Sequence, residues 1–272
     1  MFYALLPAGC KNNVNTPAPV AYGNNENAGK FADINGAKIY YEIYGEGEPL
    51  VILHGNGASI SAGREQIAFF SHRFKVIAVD SRGQGKSSDN SDSLTYEAMA
   101  ADLNALLNEL KVDSAYLIGH SDGGITGLVT ALRYPAKVKM LAAMAPNTRP
   151  DSAVLYPAVE ADALAKLALY EDSVKNGQSK VTPALKLLRL MQYHPHIPAT
   201  DLANIKAPVL LLSGDRDVIR LSHIVEIFSA LPAAQLCVLP GSTHQAPRKN
   251  AAVYNETINH FFNRPFQMPN SF

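Results

Sequence analysis

Gly119-His120-Ser121-Asp122-Gly123-Gly124 is the stretch on which the reading of this chain turns. On its own the G-x-S-x-G pattern is weak, since composition alone produces one in about one chain of this size in ten. Its surroundings carry more. The run before it, residues 115–118, is continuously apolar, and a helical pattern begins at Ile125. A strand that enters a tight turn at a Ser and leaves as a helix is the setting of a nucleophile elbow. The glycines have a steric reason: segments passing close to a strained turn need positions without Cβ.

Further apolar runs lie at residues 50–53, 74–79, 138–143, 209–212 and 236–239. They do not alternate with polar residues, which is the mark of strands buried on both faces of a parallel sheet. Helical periodicity separates several of them, at 95–110, 125–132, 221–231 and 251–262. Upstream, Asn35-Gly36 sits inside 31–44 as a two-residue turn whose central positions both need φ > 0, so this segment reads as a hairpin. The expected fold is α/β: a mostly parallel, doubly wound sheet of about eight strands with an N-terminal antiparallel hairpin and a helical cap insertion. The insertion is expected at about 146–207, with helices at 158–170 and 183–193 and no strand. The plainer alternative is an ordinary pair of layer helices.

The 272 residues suit one large domain, here 31–272, and 47% hydrophobic residues are enough for a substantial core. Lys plus Arg and Asp plus Glu total 24 each, so no basic excess points to nucleic acid. No run of 18 apolar residues suggests a transmembrane span. Of two cysteines, Cys237 reads as a buried core thiol. Cys10 follows Leu5-Leu6-Pro7-Ala8-Gly9 and resembles the end of a bacterial lipoprotein signal, although Pro7 stands where that motif has Leu and no basic segment precedes it. Residues 1–30 are expected to be a flexible tether or signal remnant. Two locations stay open, the bacterial envelope through a lipid anchor at Cys10, or the cytoplasm.

A Ser hydroxyl needs a base to take its proton, and the base needs an acid to orient it. Two later strands end in suitable loops, Ser213-Gly214-Asp215-Arg216-Asp217 and Gly241-Ser242-Thr243-His244. The order Ser121, Asp217, His244 is the chain order of triads built on a G-x-S-x-G elbow. All three would lie beyond the carboxyl ends of strands, where open α/β sheets place their sites. Asp215 is the rival acid.

On these motifs the chain resembles the α/β-hydrolase superfamily over about residues 31–262. Leu53-His54-Gly55-Asn56-Gly57 is similar to that family's His-Gly oxyanion loop, and Asp80-Ser81-Arg82-Gly83-Gln84-Gly85-Lys86-Ser87 to its D-x-R-G-x-G-x-S turn. The resemblance implies Ser121 as nucleophile, His244 as general base and Asp217 as orienting acid. It also implies the backbone N–H groups of Asn56 and Asp122 as oxyanion donors, each worth roughly 3 kcal/mol in the transition state. Because those are backbone groups, side-chain identity at 56 and 122 is expected to be free to serve substrate choice. Asp122 would attract a cationic substrate such as an amino-acid ester; the plain alternative is a solvated or hydrogen-bonded carboxylate. His54 is expected to brace the oxyanion loop, His120 to pack or hydrogen-bond near the elbow, and Arg82 and Ser87 to anchor a loop. His194 and His196 read as surface or capping residues.

The expected activity is hydrolysis of a small carboxylic ester or related acyl compound through a covalent acyl-enzyme. The same three side chains would serve a carbon–carbon bond hydrolase, lactonase, amidase or peptidase, and a non-catalytic binding protein on this scaffold is the reading from another class. No cofactor is expected, since neither a G-x-G-x-x-G after a first strand nor a P-loop occurs.

Overall fold

A computed structural model describes residues 20–178 and 180–264. The sheet begins with the hairpin β1 (Gly29–Ile34) and β2 (Ala37–Tyr44), whose turn has Asn35 at φ 47° and Gly36 at φ 76°. β3 (Glu48–Leu53), α1 (Arg64–Phe70), β4 (Phe74–Val79), α2 (Tyr96–Glu109), β5 (Ala115–His120), α3 (Asp122–Arg133) and β6 (Val138–Met144) follow. The helices α4 (Pro157–Lys175), α5 (Pro183–Tyr193) and the single turn α6 (Ala199–Leu202) come next. β7 (Val209–Arg216), α7 (Leu221–Ala230), β8 (Ala234–Thr243), α8 (Ala246–Lys249) and α9 (Ala251–Asn263) complete the described chain.

The eight strands form one sheet in the order β1-β2-β4-β3-β5-β6-β7-β8. β1, β2 and β4 pair antiparallel, and every pairing from β4 through β8 is parallel. The unbroken apolar runs have the expected cause. Leu50 and Val51, Val76 to Ala78, and Leu141 to Met144 are all buried at consecutive positions, and consecutive strand residues face opposite sides. Helices therefore cover both faces: Tyr116 meets Phe262 of α9 at 4.9 Å between ring centroids, while Leu141, the register partner of Leu117, lies against Gly127 of α3.

Local signals fix the helix starts. The Thr95 hydroxyl accepts from Ala98 N–H at the head of α2, and Thr182 does the same for Leu185 at the head of α5. Sequence periodicity missed α1, α6 and α8, which are one to two turns long and too short to display a period. It also started α3 at Ile125, whereas the helix starts at Asp122, because the Gly pair hides its first turn.

Two expectations are corrected. The tether was expected to reach residue 30. Instead Tyr22 packs on Tyr44 and the N–H groups of Gly23 and Asn25 donate to the buried Glu42 carboxylate, so this stretch is fastened to the hairpin. Cys237 is half-buried, not buried, because β8 is an edge strand with one side uncovered. Cys10 lies outside the described residues. Among the described residues no helix is long and apolar enough to cross a membrane.

Candidate active site

The connections out of the sheet decide where a site can open. β3 leads to β4 on one side and β5 leads to β6 on the other, so a crevice forms beyond the carboxyl ends of β3 and β5. The loop 54–59 leaves β3 there, and Ser121 leaves β5. Ser121 sits at φ 53°, ψ −116°, a conformation that few non-Gly residues adopt. It is held on both sides: its N–H donates to Met144 C=O at 2.8 Å, and its own C=O accepts from Ile125 N–H at 3.0 Å. The glycines are needed as spacers. A Cβ on Gly119 would lie 2.2 Å from Gly123 O, and one on Gly123 would lie 2.3 Å from Leu53 O.

β7 and β8 bring in the other two side chains. His244 Nδ1 and Asp217 Oδ1 are 2.7 Å apart. Asp217 is buried and also accepts from Ile219 N–H at 3.2 Å, which fixes the carboxylate. A carboxylate at Nδ1 assigns the proton to that nitrogen and leaves Nε2 as the acceptor. The rival Asp215 is exposed and accepts from Ser242 N–H instead. Ser121, His244 and Asp122 line one cavity of about 450 Å³, so the structure brings the distant sequence candidates to one place.

His120 lies beside Ser121 in sequence but on His244 in space. Its Nε2 is 2.8 Å from the His244 carbonyl, and the rings are 4.7 Å apart. Burial holds the His120 imidazole down at about 4, so it is neutral at pH 7 and donates from Nε2.

The 54–59 loop, expected to carry an oxyanion donor, is braced by the turn at 80–87, a relation that sequence alone did not reveal. Ser81 N–H donates to His54 Nε2, whose Nδ1 donates to Gly55 C=O; burial keeps this ring's pKa below the usual value. Asp80 accepts from Ile60 N–H and Lys86 N–H, and Gln84 Oε1 accepts from Gly57 N–H at 2.7 Å. Arg82 makes a paired contact with Asp102, and Ser87 ties Tyr40 N–H to Asp80 C=O, which matches their expected anchoring role.

Among the described residues, no acceptor lies on the backbone N–H of Asn56 or Asp122. Their side chains are engaged with the protein. Asn56 Nδ2 donates to Asp122 Oδ2 at 2.9 Å, and the Tyr96 hydroxyl donates to Asp122 Oδ1 at 3.0 Å. Burial raises the pKa of the Asp122 carboxyl and pushes that of the Tyr96 phenol well up. With both oxygens accepting from the protein, Asp122 takes the hydrogen-bonded alternative and not that of an open cation site. Tyr96 carried no motif; only the approach of α2 to the elbow reveals it.

The far wall comes from 146–207 and the loop after β7. Pro150, Leu155, Val159, Met191, Val218 and Ile219 give it an apolar surface. His194 caps the end of α5 and also lines the cavity, whereas His196 stacks edge-on against it at 5.9 Å.

The family model described as the alpha/beta hydrolase fold matches residues 48–178. A carbamate hydrolase by name, RutD of Azorhizobium caulinodans, is 35% identical over 105 residues, which is 39% of this chain and 40% of that relative, so the match spans only two fifths of its length. A 2-hydroxy-6-oxononadienedioate/2-hydroxy-6-oxononatrienedioate hydrolase of Burkholderia vietnamiensis is 26% identical over 268 residues, covering 84% of this chain and 91% of the relative. The crystal structure of the enol-lactonase from Burkholderia xenovorans LB400 superposes with a TM-score of 0.72 at 22% identity, over 86% of this chain and all of that one. Together with the eight-stranded sheet and the strand order, these matches lead to one conclusion: the chain has the α/β-hydrolase fold, and residues 48–178 match that family's own model.

Proposed function

We propose that this protein is a serine hydrolase that cleaves a small carboxylic ester or related acyl compound through Ser121, His244 and Asp217. The observation that carries the reading is the 2.7 Å contact between His244 and the buried Asp217, on the same cavity as a Ser in a left-handed elbow. His244 Nε2 takes the Ser121 proton as Oγ bonds the substrate carbonyl carbon, and the carbonyl electron pair moves to its oxygen. The N–H groups of Asn56 and Asp122 stabilise that oxyanion. Collapse expels the alcohol, which takes the proton from His244 and leaves an acyl-Ser121 ester. Water, deprotonated by the same imidazole, then bonds the acyl carbon, and the Oγ–C bond breaks as Ser121 takes the proton back from His244, releasing the acid. Asp217 holds the ring and stabilises its charged form throughout.

The apolar far wall favours a substrate whose acyl or alcohol part is apolar. The names of the relatives, a carbamate hydrolase and an enol-lactonase among them, support acyl compounds more widely and keep carbon–carbon bond hydrolysis, lactones and amides in view. The test is a panel of ester, lactone, amide and amino-acid-ester substrates, run with wild type and Ser121→Ala, together with fluorophosphonate labelling read by intact mass. Ester turnover and a single adduct, both lost in Ser121→Ala, are expected. A fully active Ser121→Ala overturns the reading, and a Ser121 that never reacts with the probe would favour a binding protein on the same fold. With Asp122 engaged internally, amino-acid esters should gain no advantage over plain acyl esters.

A further inference from the structure

We infer that the side chains of Asn56 and Asp122 act as a clamp that sets the separation of the two backbone N–H groups assigned above to the oxyanion. The inference rests on that assignment. The β3–β5 ladder ends at the pair Leu53–Gly119. Each donor lies three residues beyond the last pair, so the ladder no longer fixes their distance. At that point the two side chains meet, Asn56 Nδ2 to Asp122 Oδ2 at 2.9 Å, joining segments 66 residues apart.

The surrounding bonds occupy the Asn56 amide hydrogens and both Asp122 oxygens, which leaves the carboxylate no group for substrate. An amide –NH₂ has two hydrogens. One goes to Asp122, and the other reaches the Leu187 carbonyl on α5 at 3.4 Å. Of the two carboxylate oxygens, one takes Asn56 and the other the Tyr96 hydroxyl. Asp122 is 4% exposed, so its charge has no water to turn to, whereas Asn56 is half-buried at the loop surface. The hydrogen-bonded pair therefore acts through the backbone on either side of it. Asn56 and Asp122 are positioning residues by their side chains. Donors misplaced by even about 1 Å cost on the order of 100-fold in rate, which sets the size of effect to look for.

The experiment measures kcat and KM on p-nitrophenyl acetate and butyrate for the full chain. The variants are Asn56→Ala, Asp122→Ala, the two combined, Asp122→Asn and Ser121→Ala. Expected are a kcat loss of roughly 10- to 100-fold in each Ala single variant with KM within about threefold, and a double variant no worse than the poorer single one. Asp122→Asn keeps a carbonyl oxygen for the Asn56 amide and should return to within about fivefold of wild type. A wild-type kcat in Asn56→Ala, losses that multiply in the double variant, or a loss confined to KM each overturn the clamp. Should Asp122→Ala not fold, Asn56→Ala and Asp122→Asn decide the matter, their folding checked by melting temperature. Activity surviving in Ser121→Ala overturns the underlying reading. A dead Ser121→Ala beside an unimpaired Asn56→Ala overturns the clamp alone.

Discussion

The two walls of the cavity are built on different physical terms. The sheet-side wall carries Ser121, His244 and the 54–59 loop on segments whose backbone has no room to move: Gly119 and Gly123 touch neighbouring main chain, and Asp80, His54 and Gln84 hold the loop by main-chain hydrogen bonds. The far wall rests on helices that touch the body sparingly. In the 19-residue α4 only Leu167 is buried, and Leu169 is 72% exposed. α4 and α5 are tied by the paired Arg189–Glu171 contact, and α5 to the body by Lys186–Asp89. Close packing fixes geometry, and sparse packing leaves segments that open at low free energy. The groups proposed to react thus sit on the rigid side, and the apolar surface proposed to meet the rest of the substrate sits on the compliant one.

The strongest way to break this contrast is at Asp217. Replacing it with Asn should lower kcat by about 10⁴-fold with little change in melting temperature, because the imidazole loses its orienting acceptor while the packing stays. A milder loss would mean that His244 is oriented by something other than Asp217. Gly123→Ala comes next. Its Cβ would meet Leu53 O at 2.3 Å, so the elbow or β3 must shift, and denaturant unfolding should show a loss of about 3 kcal/mol or more. An unchanged midpoint would mean the sheet side is softer than its contacts imply.

Acid provides a third probe. Burial depresses the pKa of His120 in the folded state, to about 4 against an unfolded value near 6.5. The unfolded chain then binds more protons between these values, so stability falls as pH drops from about 6.5 to 4, by up to roughly 3 kcal/mol from this residue. Melting curves across that range for wild type and His120→Gln should show a shallower decline in the variant. Equal slopes would remove His120 as the source. The smallest effects belong to the compliant wall. Leu167→Ala should cost about 2–3 kcal/mol if α4 melts together with the body, and much less in the global transition if the helix opens separately. Leu169→Ala should stay within about 0.5 kcal/mol.

Much of this architecture was legible before any coordinates. Continuous apolar runs marked the parallel strands because both faces are covered, and Asn35-Gly36 marked the hairpin because its φ requirement is local. The candidate site was legible where a motif constrains the backbone, at Ser121 and the 53–57 loop, and where chain order ranked candidates, at Asp217 and His244. At 56 and 122 the hydrogen-bonded alternative holds over substrate choice, and the partners were not legible for a physical reason: their hydrogen bonds join β3, α2 and β5 ends whose sequence positions carry no sign of one another. Tyr96 was invisible for the same reason, as was the use of Asp80 and Gln84 to hold the loop.

The sequence by itself therefore determined the alternation of strands and helices, the elbow and the candidate hydroxyl, carboxylate and imidazole, all of which follow from local periodicity and steric need. Only the tertiary structure decided which carboxylate faces His244, what occupies the Asp122 oxygens and which residues of 146–207 reach the cavity. Those are distances between residues far apart in the chain, set by how the whole sheet twists and packs.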